Sequence, residues 1–205
     1  MTSYTTISNA LVAVGAKPFA TTVQAFRDNP IAIAEADSTA PVNQTVWHPY
    51  NKVTVGDAND GRIYNFATDG TVASVVSPDF ADGYEYRFRV NRLSHDSAGS
   101  TTLQIELFLT TTAAYGPALI ISSSQASSFN FSGYVEVLQP RETLVWTPVR
   151  AVIAPSGATG NSAALVTDTF SVHTTAQKRT RARISFSVGS IDLGQIYMDR
   201  RRVIY

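Results

Sequence analysis

The sequence predicts a mainly β protein: an antiparallel β-sandwich, jelly-roll-like, preceded by a short helical N-terminal arm. Three observations carry this. From about residue 61 onward, apolar residues recur at every second position in run after run. Turn-forming residues separate the runs. Of 205 residues, 23 are Thr and 20 are Ser, which is strand-and-loop rather than helix composition. The one helical pattern lies near the start, so we divide the chain into an arm, 1–46, and a sandwich domain, 47–205.

In the arm, Phe19, Val23 and Phe26 fall at i, i+4 and i+7, one face of a helix. Thr21 or Thr22 can cap its start. Asn29-Pro30 then reads as a restart, because Asn is a favoured N-cap and Pro suits the first helical position. A second short helix is expected over Ile31–Glu35. Two short helices with a kink bury little surface alone and need something to lie against.

The strands follow in order. Tyr84, Tyr86, Phe88 and Val90 alternate with Glu85, Arg87, Arg89 and Asn91. Leu103 to Leu109, Phe129 to Val137 and Ala182 to Val188 repeat the pattern. Weaker runs are 62–67, 71–76, 118–122, 144–153 and 165–173, and 191–198 reads as a final strand. Asp69-Gly70, Asp82-Gly83, Ala98-Gly99 and the stretch Pro155 to Asn161 are expected as turns between them. Ser94-His95-Asp96-Ser97 is expected as a polar hairpin loop between the Tyr84 and Leu103 strands. Eight to ten strands at such intervals make a sandwich or barrel, and no fixed-period repeat points to a propeller.

Composition excludes several classes of activity. Sixteen Lys and Arg balance sixteen Asp and Glu, so no global field draws the chain to nucleic acid or an anionic membrane. Zero Cys removes disulfide scaffolds, Cys-ligated metal centres and cysteine nucleophiles. Met1 to Thr6 lacks a basic leader, and Ala10 to Ala16 is too short for a signal core or a membrane span. A soluble protein without a cleaved leader is expected.

Catalytic, metal and cofactor residues are all expected to be absent. His48, His95 and His173 show no metal-ligand spacing, and no G-x-S-x-G is present. Ser94, His95 and Asp96 have the residue types of a triad, but neighbours in sequence point apart. Asp57-Ala58-Asn59-Asp60-Gly61 lacks the register and distal Glu of a calcium loop and reads as a turn. No convergent acid pair suggests a glycan depolymerase. Near the C-terminus, Arg200, Arg201 and Arg202 are adjacent cations that repel one another unless acceptors are near. Contact with a neighbouring protein is the expectation, with DNA binding as its rival. Trp47, Tyr50, Tyr134 and Trp146 are candidates for a sugar-stacking platform, against ordinary packing as the alternative.

The segment Phe26-Arg27-Asp28-Asn29-Pro30-Ile31-Ala32-Ile33-Ala34-Glu35 resembles an N-terminal module of structural proteins of tailed bacteriophages and prophages, tail-fibre-like and otherwise virion-attached. That module has a hydrophobic residue, Arg-Asp-Asn-Pro, Ala-Ile-Ala-Glu-Gly and a downstream Ala-Pro. Here Ala36 replaces the usual Gly, and Val42 follows Ala40-Pro41 where a basic residue is common. The resemblance covers residues 19–41. It implies a non-enzymatic virion protein: a tail-associated fibre or receptor-binding component, or a head decoration protein. It also implies a homotrimer that meets tail or capsid proteins through Phe19, Val23, Phe26, Arg27, Asp28, Asn29 and Pro30. The alternative is a carbohydrate-binding sandwich at a fibre tip, using Trp47 and Trp146 on a host-surface glycan.

Overall fold

The computed structural model describes residues 5–7, 20–34, 47–50, 62–65, 71–157, 160–161 and 165–203. Two compact units divide the chain: Met1–His48 with Arg201–Tyr205, and Pro49–Arg200.

Among the described residues the first unit contains one helix, α1 (Ala20–Ala34), where two were expected. Pro30 sits inside it rather than opening a second one. Proline there forfeits one intrahelical hydrogen bond without ending the helix. Asn29, expected as a cap, is committed elsewhere. Its Oδ1 accepts from Thr5 N at 2.9 Å and its Nδ2 donates to Thr5 O at 2.9 Å, tying the helix to an upstream segment. Thr21 and Thr22 lie within the helix and so do not cap its start. The inward face carries the small residues Thr22 and Ala25, both buried, while Val23 and Phe26 are 57% and 61% exposed. Phe19 and Asp57–Gly61 lie outside the described residues.

The second unit is an antiparallel β-sandwich, as its period-two runs dictate. In chain order the strands are β1 (His48–Pro49), β2 (Arg62–Asn65), β3 (Ser74–Val76), β4 (Tyr84–His95), β5 (Leu103–Leu109), β6 (Ala114–Tyr115), β7 (Leu119–Ile120), β8 (Phe129–Val137), β9 (Leu144–Gly157), β10 (Gly160–Asn161), β11 (Leu165–Gln177), β12 (Arg179–Phe186) and β13 (Ile191–Arg202). One sheet has the order β1-β13-β4-β8-β9-β10, with β2 also on β13 and β11 also on β9. The other has the order β3-β12-β5-β6, with β7 also on β5. Between them lies an apolar core, with Tyr86, Phe88, Phe131 and Val135 from the first sheet and Ile105, Leu107, Ile184 and Phe186 from the second. Phe131 and Phe186 meet across it with ring centroids 5.4 Å apart.

Three local expectations are corrected. β4 continues through Ser94 and His95, both buried, and β4 and β5 belong to opposite sheets, so no hairpin joins them. The cause is a bulge. Arg92 has φ 52°, and the register with β8 shifts between Val90 and Leu93, so the buried parity changes and the strand goes on inward-facing. The expected Pro155–Asn161 turn shrinks, because Gly160 pairs Gly157 and Asn161 pairs Ser156. Val188, expected as the last buried residue of its strand, is exposed beyond the end of β12 at Phe186.

Tyr86 fixes the turn before β4. Its ring is fully buried, stacked on Phe80 at 4.4 Å, and its Oη accepts a hydrogen bond from Ala81 N. Burial pushes its phenol pKa well above the ordinary value. The folded chain therefore holds this proton more tightly than the unfolded chain. Stability from this group is complete below about pH 10 and falls above it, by about 1.4 kcal/mol per pH unit at most. Melting temperatures measured from neutral to strongly alkaline pH should show the fall in wild type and a flatter limb in Tyr86→Phe. The variant should also lose about 1–2 kcal/mol at neutral pH, because Ala81 N–H is left without its acceptor.

Candidate functional site

The residue types suggestive of catalysis are dispersed by the fold. Ser94 Oγ donates to Asp192 Oδ1, Asp96 Oδ1 accepts from Ser190 N at 2.6 Å, and His95 turns into the core. There the imidazole lies 5.1 Å from the Phe186 ring, with Nε2 3.2 Å from Gln125 O. A carbonyl can only accept, so Nε2 carries the proton in this arrangement. His48 lies in β1 and His173 in β11. Among the described residues, no three His, Cys, Asp or Glu side chains converge on a metal position. Nor is any described helix long and apolar enough to cross a membrane.

In the first unit, four residues of the Arg-Asp-Asn-Pro segment follow one another on α1. Arg27 and Asp28 form a two-pronged pair, Nε to Oδ1 at 2.6 Å and Nη2 to Oδ2 at 3.0 Å. The Arg27 guanidinium holds the Asp28 carboxyl below the usual carboxylate range. Both charges are thereby matched within the chain, and Val23 and Phe26 stay exposed on the described helix. The guanidinium of Arg201 lies 4.6 Å from the centre of the half-buried Trp47 ring in the same unit.

The second unit places Arg200 over Tyr50 and Tyr84, at 5.0 and 4.5 Å. For Arg200 and Arg201, the repulsion read from the sequence is therefore met by aromatic faces within the chain. The outer face of the first sheet carries a row of alternating charge. Arg87 stands opposite Glu136, Glu136 opposite Arg150, and Arg150 opposite Asp168. Arg87 Nη2 meets Glu136 Oε1 at 2.6 Å, and Arg89 meets Asp199 at 2.6 and 3.0 Å. Arg87 and Arg89 also cover Tyr134 and Tyr197, at 4.9 and 4.8 Å. Tyr134 and Tyr50 are thus capped by guanidinium groups. Trp146, on β9, is 48% exposed. The second sheet repeats the device, with Arg183 bonded to Glu106 at 2.7 and 2.8 Å and lying over Tyr115 at 4.1 Å.

One residue of consequence escaped the sequence reading. Arg179, fully buried, donates to four backbone carbonyls. Nη1 reaches Leu144 O at 2.6 Å and Gln177 O at 2.5 Å, and Nη2 reaches Val145 O at 3.1 Å and Ser171 O at 2.9 Å. Burial lowers its pKa from the ordinary arginine value. It sits where the chain leaves β11 in one sheet for β12 in the other. Above it the ladder opens: Val172 pairs Trp146 and Gln177 pairs Leu144, so four residues of β11 bulge against one of β9.

No protein-family model, curated protein or solved structure matches this chain.

Proposed function

We propose that this chain is a non-enzymatic virion structural protein of a tailed bacteriophage or prophage. It acts as a homotrimer anchored to tail or capsid proteins through its helical arm. The observation that supports the reading is the setting of the Arg-Asp-Asn-Pro segment. It lies on one helix that leaves Val23 and Phe26 in solvent, with the neighbouring charges already paired. Burying each of those two side chains in an assembly is worth about 1.5–3 kcal/mol, enough to make the arm an anchor when three copies combine.

The test is incorporation. The double variant Val23→Asp, Phe26→Asp should keep the melting temperature of the sandwich and drop out of purified particles. Its mass by light scattering should shift from trimer to monomer. A variant that copurifies with particles at wild-type stoichiometry removes the anchoring role from the arm and leaves the Arg200–Arg202 segment as the candidate.

A further inference from the structure

A second surface, independent of the arm, lies on the outer face of β9 and β11. Trp146 and Val145 are exposed at the start of β9. The outward positions then run Trp146, Pro148, Arg150, Val152. β11 runs antiparallel beside them, setting Asp168 opposite Arg150 and Val166 opposite Val152. Arg150 Nε donates to Asp168 Oδ1 at 2.9 Å, and both side chains remain more than half exposed, at 54% and 64%. Arg150 stands four residue steps along the strand from Trp146, about 13–14 Å on one open face.

The backbone beside Trp146 is irregular but fixed. The bulge of β11, residues 173–176, lies next to it, with Thr175 and Ala176 exposed. Arg179 clamps both lips from beneath, through Ser171 O and Gln177 O on the bulged strand and Leu144 O and Val145 O on the facing one. The bulge is thus held from within the chain, beside an exposed indole and with a hydrogen-bonding pair further along the face.

We propose that this face binds a neutral oligosaccharide. Trp146 stacks on the apolar C–H face of one sugar ring, and Arg150 and Asp168 exchange hydrogen bonds with hydroxyls of another ring along the strand direction. The ligand class follows from the charge and spacing of the groups. Arg150 is neutralised by Asp168, so a polyanion gains no net field here. A protein partner wants a continuous apolar centre, and the charged pair divides Trp146 from Val166. Sugars alternate apolar faces with hydroxyls, which matches this row. The assignment holds whether or not the arm attaches the chain to a particle.

The experiment uses the full chain carrying Trp47→Phe, in which Trp146 is the single remaining indole. It is titrated with cellohexaose, laminarihexaose, mannohexaose and chitohexaose while fluorescence is recorded. At least one should shift the Trp146 emission saturably. In calorimetry with that sugar, Trp146→Ala in the otherwise wild-type chain should bind about tenfold more weakly or worse. Asp168→Asn should weaken binding less, and both variants should still unfold cooperatively, with Trp146→Ala melting somewhat lower because about half of that residue is buried. A flat emission with all four sugars overturns the proposal, as does Trp146→Ala binding like wild type. Tighter binding of a heparin hexasaccharide than of any neutral sugar overturns the ligand class.

Discussion

Replacing Arg179 with Met should cost about 3–5 kcal/mol of stability. Met fills much of the same volume, so the loss isolates the guanidinium. Four carbonyl oxygens, on Leu144, Val145, Ser171 and Gln177, then lose a charged donor in a place water does not reach freely. Carbonyls that also bond within the β9–β11 ladder keep one partner, which holds the sum below four full penalties. Arg179→Lys should recover less than half of the loss. An ammonium is a point donor, whereas the planar fork reaches carbonyls on two strands at once. Urea unfolding midpoints check both values. A Met variant within about 1 kcal/mol of wild type would mean that the bulge closes on itself without the pin.

Arg179 also shows where a sequence stops being readable. The strand 179–186 buries Ala182, Ile184 and Phe186, and alternation extrapolated backwards from these would bury position 180 and expose 179. A register shift between Arg179 and Ala182 changes the parity, so Arg179 turns inward while Arg181 and Arg183 stay on the outer face. In the sequence all three belong to one basic, solvated run. Arg92 does the same to β4. The alternation of Tyr84, Tyr86, Phe88 and Val90 stops at the bulge, and beyond it Leu93 and His95 point inward, with Ser94 on the other face, bonded to Asp192. Alternation identified the strands because each buries one face. Single inserted residues decided which polar side chains changed faces, and these leave no periodic signal.

The arm shows another limit. Phe19, Val23 and Phe26 form the apolar stripe that the sequence offers to a partner, and Val23 and Phe26 are exposed on the described helix. The residues this helix buries within the chain are small ones, Thr22 and Ala25. Close approach of a backbone favours small side chains, and a hydropathy pattern does not register them. The Asn29–Thr5 bonds that bind the helix to an upstream segment had no sequence signal either. The candidate anchor residues were visible as residue types, and their setting was not.

Among the described glycines, Gly133→Ala should be the most disruptive. Gly133 occupies an inward position of β8, where the pattern Phe131, Val135, Val137 would place a large apolar residue. Its φ is 147°, a region open to glycine and strained for any side chain. A Cβ there would collide with the Val152 carbonyl oxygen and sit 3.0 Å from Ile153 Cα, both backbone of the partner strand. Backbone held in a ladder on both sides cannot rotate away as a side chain can. β9 would have to part from β8 at Gly133–Ile153, midway along the nine-residue register from Phe129–Gly157 to Val137–Val149. Moving β9 also moves β11 and the Arg150–Asp168 pair built on it. The expected result is a loss above about 4 kcal/mol, seen as aggregation on expression or a melting temperature lower by more than about 10 °C. Gly194→Ala is the matched control on β13. Its φ is 113°, and its Cβ would meet Arg92 O at 2.5 Å, but Arg92 belongs to a bulge that already departs from the ladder. That variant should lose less, because its Cβ comes less close to a carbonyl oxygen than a Cβ at Gly133 does, although it also meets Leu93 Cα at 2.7 Å, and the difference between the two measures how much the closer approach to the Val152 oxygen costs.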